Sequence, residues 1–175
     1  MQSFPVPLLG FAAFSGTGKT TLLKQLIPGL RERSLRVGVI KHTHHQIEVD
    51  RPGKDSYELR KSGADRVLLA SSRNWALMAD EPEEREPSLP QLLQRLDIRN
   101  LDLVLVEGFR HLDFPKIELH RPSLGKPLIY PEDPCVIAIA SDLPLVETNG
   151  LPCLDLNDIP AVLHFILTDF LAKSD

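Results

Sequence analysis

Ala13-Phe14-Ser15-Gly16-Thr17-Gly18-Lys19-Thr20-Thr21 is the stretch that decides the fold of this chain. Phosphate loops read Gly-x-x-x-x-Gly-Lys followed by Ser or Thr, and only the first position departs here, with Ala13 in place of glycine. Gly16 and Gly18 allow positive φ and let the backbone approach an anion closely. The amide groups of the loop, and the N-terminus of a helix expected to begin at Lys19, then face that anion. Lys19 is expected to reach the β- and γ-phosphates of a purine nucleoside triphosphate, and the Thr20 hydroxyl to ligate Mg²⁺. Ser15, Thr17 and Thr21 complete the cradle. A Gly-rich turn with a solvent-facing lysine is the bland alternative, and the flanking segments argue against it.

Leu8 to Phe14, just before the loop, is a continuous apolar run, the pattern of a strand covered on both faces. After the loop, Leu22, Leu23, Leu26, Ile27 and Leu30 recur at the spacing of one helical face. Pro28-Gly29 predicts a kink or an early end near Ile27. A strand over Arg36 to Ile40 completes a right-handed βαβ unit. Further on, a short helix is expected over Asp55 to Gly63 and a hairpin from strands Arg66 to Ala70 and Asn74 to Asp80. An acidic, proline-bearing loop runs from Asp80 to Pro87, and a helix from Pro90 to Leu96. Buried strands are expected over Leu101 to Val106 and Val136 to Ala140, and one more over Cys153 to Leu156. Lys116 to His120 alternates apolar and polar residues, the pattern of a half-exposed strand. Ile159 to Leu171 reads as a closing helix, with Asn157 or Asp158 as N-cap and Pro160 in its first turn. Strands alternating with helices predict an α/β fold: a three-layer, P-loop NTPase-like domain with a mainly parallel sheet and the hairpin as an antiparallel extension. Residues 1–175 are expected to form one such domain.

Ligands of open α/β sheets sit beyond the carboxyl ends of the strands. Glu107, closing the run Leu101 to Val106 and followed by Gly108, is therefore expected beside the phosphate loop, holding Mg²⁺ directly or through water; the alternative is a carboxylate paired with a base such as Arg110. Asp102, at the other end of that run, reads as a solvated strand start. Lys41, after the second strand, would add positive charge to the phosphate site. Asp50 and Asp55 flank Pro52-Gly53-Lys54; one of them, Asp55 in particular, is a candidate for Mg²⁺ or for the attacking water, and Asp55 as a helix cap is compatible with that. Lys19, Asp55 and Glu107 make up the expected catalytic set. Asp142 follows the strand Val136 to Ala140 and is a candidate for selecting guanine, because a carboxylate accepts two parallel hydrogen bonds and guanine presents two adjacent donors. His42, His44 and His45 invite a transition-metal reading, but no Cys-x-x-Cys accompanies them.

The composition sets limits. With 42% hydrophobic and 25% charged residues the chain suits a globular domain with a real core. A net charge of −4 leaves no broad basic field for non-specific nucleic-acid binding. The apolar run from Val6 to Phe14 is too short to span a bilayer and lacks a basic leader, so a cytoplasmic protein is expected. Cys135 and Cys153 lie in apolar surroundings and are read as buried, reduced thiols.

Taken together, Phe14-Ser15-Gly16-Thr17-Gly18-Lys19-Thr20-Thr21, Val39-Ile40-Lys41-His42-Thr43-His44-His45, Pro52-Gly53-Lys54-Asp55-Ser56, Ser62-Gly63-Ala64, Val106-Glu107-Gly108-Phe109 and Ala140-Ser141-Asp142 resemble the molybdopterin-guanine dinucleotide biosynthesis adapter (MobB) family. The phosphate loop is shared by many families; the histidine segment followed by Gly-Lys-Asp-Ser is far more specific. The resemblance implies a homodimeric protein that binds GTP with Mg²⁺ and hydrolyses it weakly. It also implies a partner, the guanylyltransferase that joins GMP to molybdopterin in molybdenum cofactor synthesis, and contact with molybdopterin-bearing proteins. The family's phosphate-loop residues carry over to Gly16, Gly18, Lys19 and Thr20, and its strand-end glutamate to Glu107. The apolar hairpin, through Val67 and Leu69, is the expected dimer surface. A P-loop small-molecule kinase and a metal-delivery GTPase remain as alternatives. Neither Arg73 nor Arg110 is placed by sequence as a catalytic finger, so slow turnover is expected.

Overall fold

The structure, a computed structural model, describes residues 4–43, 47, 49–81, 83 and 85–173. Its elements are β1 (Leu8–Ala12), α1 (Lys19–Glu32), β2 (Val37–Lys41), α2 (Asp55–Lys61), β3 (Arg66–Ala70), β4 (Trp75–Ala79), α3 (Leu89–Leu96), β5 (Leu103–Glu107), β6 (Lys116–His120), β7 (Val136–Ser141), β8 (Cys153–Asp155) and α4 (Ile159–Phe165). The chain divides into two compact units, Met1–His42 with Leu89–Asp175, and Thr43–Ser88.

The larger unit is built on a six-stranded sheet in the order β2-β5-β1-β6-β7-β8. Every pairing in it is parallel. On one face Leu22, Leu23, Leu26 and Leu30 of α1 and Val162, Leu163 and Ile166 pack on Leu9, Phe11, Leu105 and Leu119. On the other, Leu89 and Leu93 of α3 join Phe109 and Phe114 over Leu8, Val104 and Val106. This is the three-layer α/β arrangement that alternating strands and helices predict.

Two glycines make the layers fit. The connection from β5 to β6 crosses the sheet at Gly10, where a Cβ would stand 2.6 Å from Phe114 Cε2. At Gly29 a Cβ would stand 2.5 Å from Leu163 Cδ1, so the bare backbone lets α4 lie close against α1. That contact also accounts for α1 not stopping at Ile27. It runs on to Glu32 through Pro28, and Pro28 is exposed, so the carbonyl it leaves without a helical donor lies on the solvent side.

Four other expectations are corrected. β6 is buried along its whole length rather than half-exposed. Its polar residues are satisfied inside the protein: Lys116 Nζ donates to Asp133 at 2.9 Å and to the Leu112 carbonyl at 2.7 Å. Glu118 accepts from the Ile129 and Tyr130 amides at 2.7 and 2.8 Å. Burial nevertheless pushes the Glu118 carboxyl above its usual range, against those two bonds and nearby His120. Cys135 is buried, but Cys153 is exposed on the short outer strand β8; both are free thiols. The closing helix is not uniform: α4 gives way to a π-helical stretch over Ile166–Phe170. Its cap is Asp158, which accepts from Ala161 N at 3.0 Å. Asp102 is more than a solvated strand start. It accepts from the Arg36 backbone amide and guanidinium, fastening the start of β2 to that of β5, and the hydrogen bonds hold its carboxyl at about 2.

In the smaller unit α2 precedes the hairpin, and β3 and β4 form their own two-stranded antiparallel sheet. Pairing sets Val67 opposite Met78, both buried. Leu68 stands opposite Leu77 and Ala70 opposite Trp75 on the other face, and Leu68, Trp75 and Leu77 are exposed. Of the two residues expected on the open surface, Val67 is buried and Leu69 is exposed; Leu68, Trp75 and Leu77 are exposed on the opposite face. Asp55 is the first residue of α2 and Lys54 its N-cap, so Asp55 is not the capping residue.

Candidate functional site

The register of the sheet assembles the site. Phe11 pairs with Glu107 of β5 on one side, and Ala12 pairs with Glu118 of β6 on the other. The loop from Ala13 to Gly18 thus leaves β1 between the carboxyl ends of its two neighbours, where ligands of such sheets bind. Gly16 and Gly18 adopt φ of 83° and 104°, as the sequence requires. Thr17 is buried, its hydroxyl donating to the Phe14 carbonyl at 2.9 Å. Lys19 arches over the turn and donates from Nζ to the Ala13 carbonyl at 3.0 Å. Gly18 caps α1 without a side-chain bond, and the first turn carries no acidic residue. The positive end of the helix dipole at Thr20 and Thr21 is therefore uncompensated by the chain itself. Ser15, Gly16, Thr20 and Thr21 are exposed.

Charge around the loop points to an anion. Burial lowers the Lys19 pKa, and the neighbouring charges of Lys41 and Arg110 lower it further, with Glu107 opposing them. Lys41 Nζ lies 3.4 Å from Glu107 Oε1, so the partner of Glu107 is Lys41 rather than Arg110. The Arg110 guanidinium sits 5.6 Å from the centroid of the Phe14 ring. Lys19, Lys41 and Arg110 against Glu107 leave an excess of positive charge, which a polyphosphate would balance.

The Lys41-His42 and Glu107-Gly108-Phe109 segments interlock. Gly108 takes φ 109°, and a Cβ there would meet His42 Cβ at 2.7 Å. His42 N donates to the Glu107 carbonyl at 2.8 Å, and its ring stacks on Phe109 with centroids 4.5 Å apart. A glycine after Glu107 is thus needed twice over, for its backbone angle and for the close approach of His42.

The Thr20 hydroxyl, at the start of α1, and the Glu107 carboxylate, at the end of β5, both offer oxygen donors. That donor set suits Mg²⁺, a hard cation held by few protein ligands and by phosphate oxygens. Asp55, the third expected metal and catalytic residue, belongs to the smaller unit. His44 and His45 lie outside the described residues, and among the described residues there is no group of three His, Cys, Asp or Glu side chains that could hold a metal ion.

Asp142 stands just beyond β7 and borders a cleft of about 330 Å³ with Leu143, Leu145, Leu154 and Asp155. Sequence reasoning missed its partner. Arg121 Nη1 donates to Asp142 Oδ2 at 2.6 Å, and Arg121 Nε donates to the Thr17 carbonyl at 2.9 Å. The signal was available: Arg121 directly follows β6, and His120 pairs with Ser141, so the next residues of the two strands fall side by side. It was obscured because β6 reads as a half-exposed strand whose carboxyl end holds no special interest.

Residues 8–142 match the family model described as molybdopterin guanine dinucleotide synthesis protein B. The chain is 53% identical over 163 residues to the molybdopterin-guanine dinucleotide biosynthesis adapter protein of Escherichia coli (strain K12), covering 93% of this chain and 92% of that protein. It is 48% identical to the protein of the same name from Haemophilus influenzae, over 92% of this chain and 88% of that one. A crystal structure of molybdopterin-guanine biosynthesis protein B superposes with a TM-score of 0.71 at 28% identity, covering 92% of this chain and 98% of that one.

Proposed function

This chain belongs to the molybdopterin guanine dinucleotide synthesis protein B family, and from that premise we propose that it is a GTP·Mg²⁺-binding adapter in the making of the guanine dinucleotide form of molybdenum cofactor. The observation that carries the reading is the phosphate loop with its cation cluster, Lys19, Lys41 and Arg110, set at the carboxyl ends of β1, β2 and β5. Lys19 exchanges the Ala13 carbonyl for phosphate oxygens. Thr20 and Glu107 hold Mg²⁺, which neutralises charge on those oxygens. Hydrolysis is slow because Arg121, which lies against the loop, is held by Asp142 and the Thr17 carbonyl rather than free to act as a catalytic finger. The partners are the guanylyltransferase of the pathway and proteins that carry molybdopterin, and the setting is cytoplasmic. No helix among the described residues is long and apolar enough to cross a membrane.

Asp142 reads the base in the cleft beyond β7. Its Oδ2 accepts from Arg121, and its Oδ1 is buried and receives no hydrogen bond from the described residues, so the carboxylate has to turn toward the cleft to meet the guanine donors. A thermal melt with Mg²⁺ tests this. GTP at a hundred times its dissociation constant adds about 2.7 kcal/mol, on the order of 5–10 °C. ATP at the same concentration gives a smaller shift, and Asp142→Ala brings the GTP shift down toward it. Equal shifts with GTP and ATP in the unaltered protein would remove the case for guanine and leave the phosphate loop intact.

The homodimer forms through the hairpin. Leu68, Trp75 and Leu77 make the apolar face that a second copy covers. Leu68→Asp with Leu77→Asp yields a monomer in sedimentation at micromolar concentration, where the unaltered chain runs as a dimer. A doubly substituted chain that still sediments as a dimer rejects this surface.

A further inference from the structure

The nucleotide site proposed above has two ends, the phosphate loop and the base cleft, and one side chain touches both. Arg121 donates from Nε to the Thr17 carbonyl at 2.9 Å and from Nη1 to Asp142 Oδ2 at 2.6 Å. Its Nη2 is also the nearest group to Gly18, 3.8 Å from where a Cβ would stand. The Thr17 it grips is the buried hinge of the loop, tied by its own hydroxyl to the Phe14 carbonyl. On the far side, Asp142 Oδ1 is buried and receives no hydrogen bond from the described residues, in a carboxylate whose other oxygen Arg121 already holds. An oxygen withdrawn from solvent and left without a donor is costly unless something supplies one.

We propose that Arg121 is a positioning residue that couples the base cleft to the phosphate loop, transmitting the placement of Asp142 to the Thr17 carbonyl. The inference rests on the nucleotide reading of the site but does not require the base to be guanine. The planar guanidinium suits the task, because its Nε and Nη groups donate in fixed directions at once and hold two acceptors at a set spacing. A base that engages the Asp142 carboxylate fixes it, the carboxylate fixes the guanidinium, and the guanidinium fixes the loop backbone that faces the phosphates. Conversely, when Asp142 is lost, Arg121 loses its anchor and the loop its brace, even for a ligand that never reaches Asp142. Coupling free energies of this kind correspond to factors of about 5 to 150.

The test uses inorganic tripolyphosphate with Mg²⁺, a ligand with phosphates and no base, titrated calorimetrically into the full chain. Asp142→Ala is expected to weaken tripolyphosphate about fivefold. In a chain already carrying Arg121→Ala, adding Asp142→Ala changes the affinity no further. Arg121→Lys behaves as Arg121→Ala, because one ammonium cannot span both acceptors; if the alanine variant fails to fold, Arg121→Lys and Arg121→Gln serve as the background. Unchanged or tighter tripolyphosphate binding in Asp142→Ala overturns the coupling, as do effects of the two substitutions that simply add. Parallel titrations with GTP and ATP separate the two ideas. Equal affinity for both in the unaltered chain defeats the guanine reading and leaves the coupling to be judged by tripolyphosphate. Failure of the unaltered chain to bind tripolyphosphate while it binds GTP overturns the coupling alone, and failure to bind any of the three defeats both.

Discussion

Replacing Lys19 with alanine lowers the affinity for GTP·Mg²⁺ about 10- to 150-fold. Hydrogen bonds to charged groups are worth about 1.5–3 kcal/mol, and every 1.4 kcal/mol is tenfold. Lys19 is already placed for the task, half-buried and bonded to the Ala13 carbonyl at 3.0 Å, so little has to be reordered when phosphate replaces the carbonyl. Burial lowers the Lys19 pKa, and so does the repulsion of Lys41 and Arg110, which an arriving polyanion offsets by supplying the opposite charge. The carbonyl left behind sits in a partly exposed turn, so the variant folds, which a melt without nucleotide verifies. Calorimetric titration of a folded Lys19→Ala protein that binds GTP·Mg²⁺ as tightly as the unaltered one would show that the phosphates lie elsewhere.

The largest effect on stability is expected at Lys116. Its side chain is 2% exposed and its partner Asp133 is 15% exposed, with 2.9 Å between Nζ and the carboxylate. Lys116→Met fills similar volume but strands an ionised Asp133 beneath the sheet. Removing one member of a buried pair costs about 3–5 kcal/mol. The exposed fraction of Asp133 places the expectation at the low end, about 3 kcal/mol, or roughly 6–12 °C in melting temperature. Lys116→Met combined with Asp133→Asn recovers most of that loss, because the orphaned charge disappears with its partner. A melting temperature within 2 °C or so of the unaltered protein in the single variant would show that Asp133 is solvated and the pair contributes little.

Lys116 also marks where sequence reading loses its grip. Along β1 and β5 the apolar runs are continuous, and a strand buried on both faces has no other way to be written. These two strands, and the Gly-Lys-Thr turn between β1 and α1, were legible for that reason, and they locate Lys19, Thr20 and Glu107 without a structure. β6 lies just as deep, but Lys116, Glu118 and His120 give it the alternation of a surface strand. The polar ends of Lys116 and Glu118 are met by Asp133 and the amides of Ile129 and Tyr130, partners 11 to 17 residues away that no local pattern announces. The same non-local dependence hid Arg121, whose role follows only from β6 lying beside β7. Pro28 misled in the opposite direction. It is a strong local breaker, overridden by the packing of α1 against α4 through Gly29. In the hairpin the strands were legible, and so was the exposure of Leu69, but not the burial of Val67 on the same side or the exposure of Leu68, which only the fold decides.

The strand order has a consequence for the birth of the protein on the ribosome. The sheet cannot zip up as it is made. β1 and β2 are separated by β5, so nothing pairs them until residue 107 has been synthesised, and β1's other neighbour follows only at residues 116–120. A chain stalled after the phosphate loop and its helix therefore carries every residue of the Gly-Lys-Thr motif and none of the support for it. Arg121 and Asp142, which brace the loop, arrive later still. Pairings this remote in sequence form slowly and leave apolar strand edges bare in the meantime. The nascent chain thus passes through a long interval with its central strands unpaired. It acquires its capacity for nucleotide all at once, when the central strands close, rather than in increments as the motif emerges.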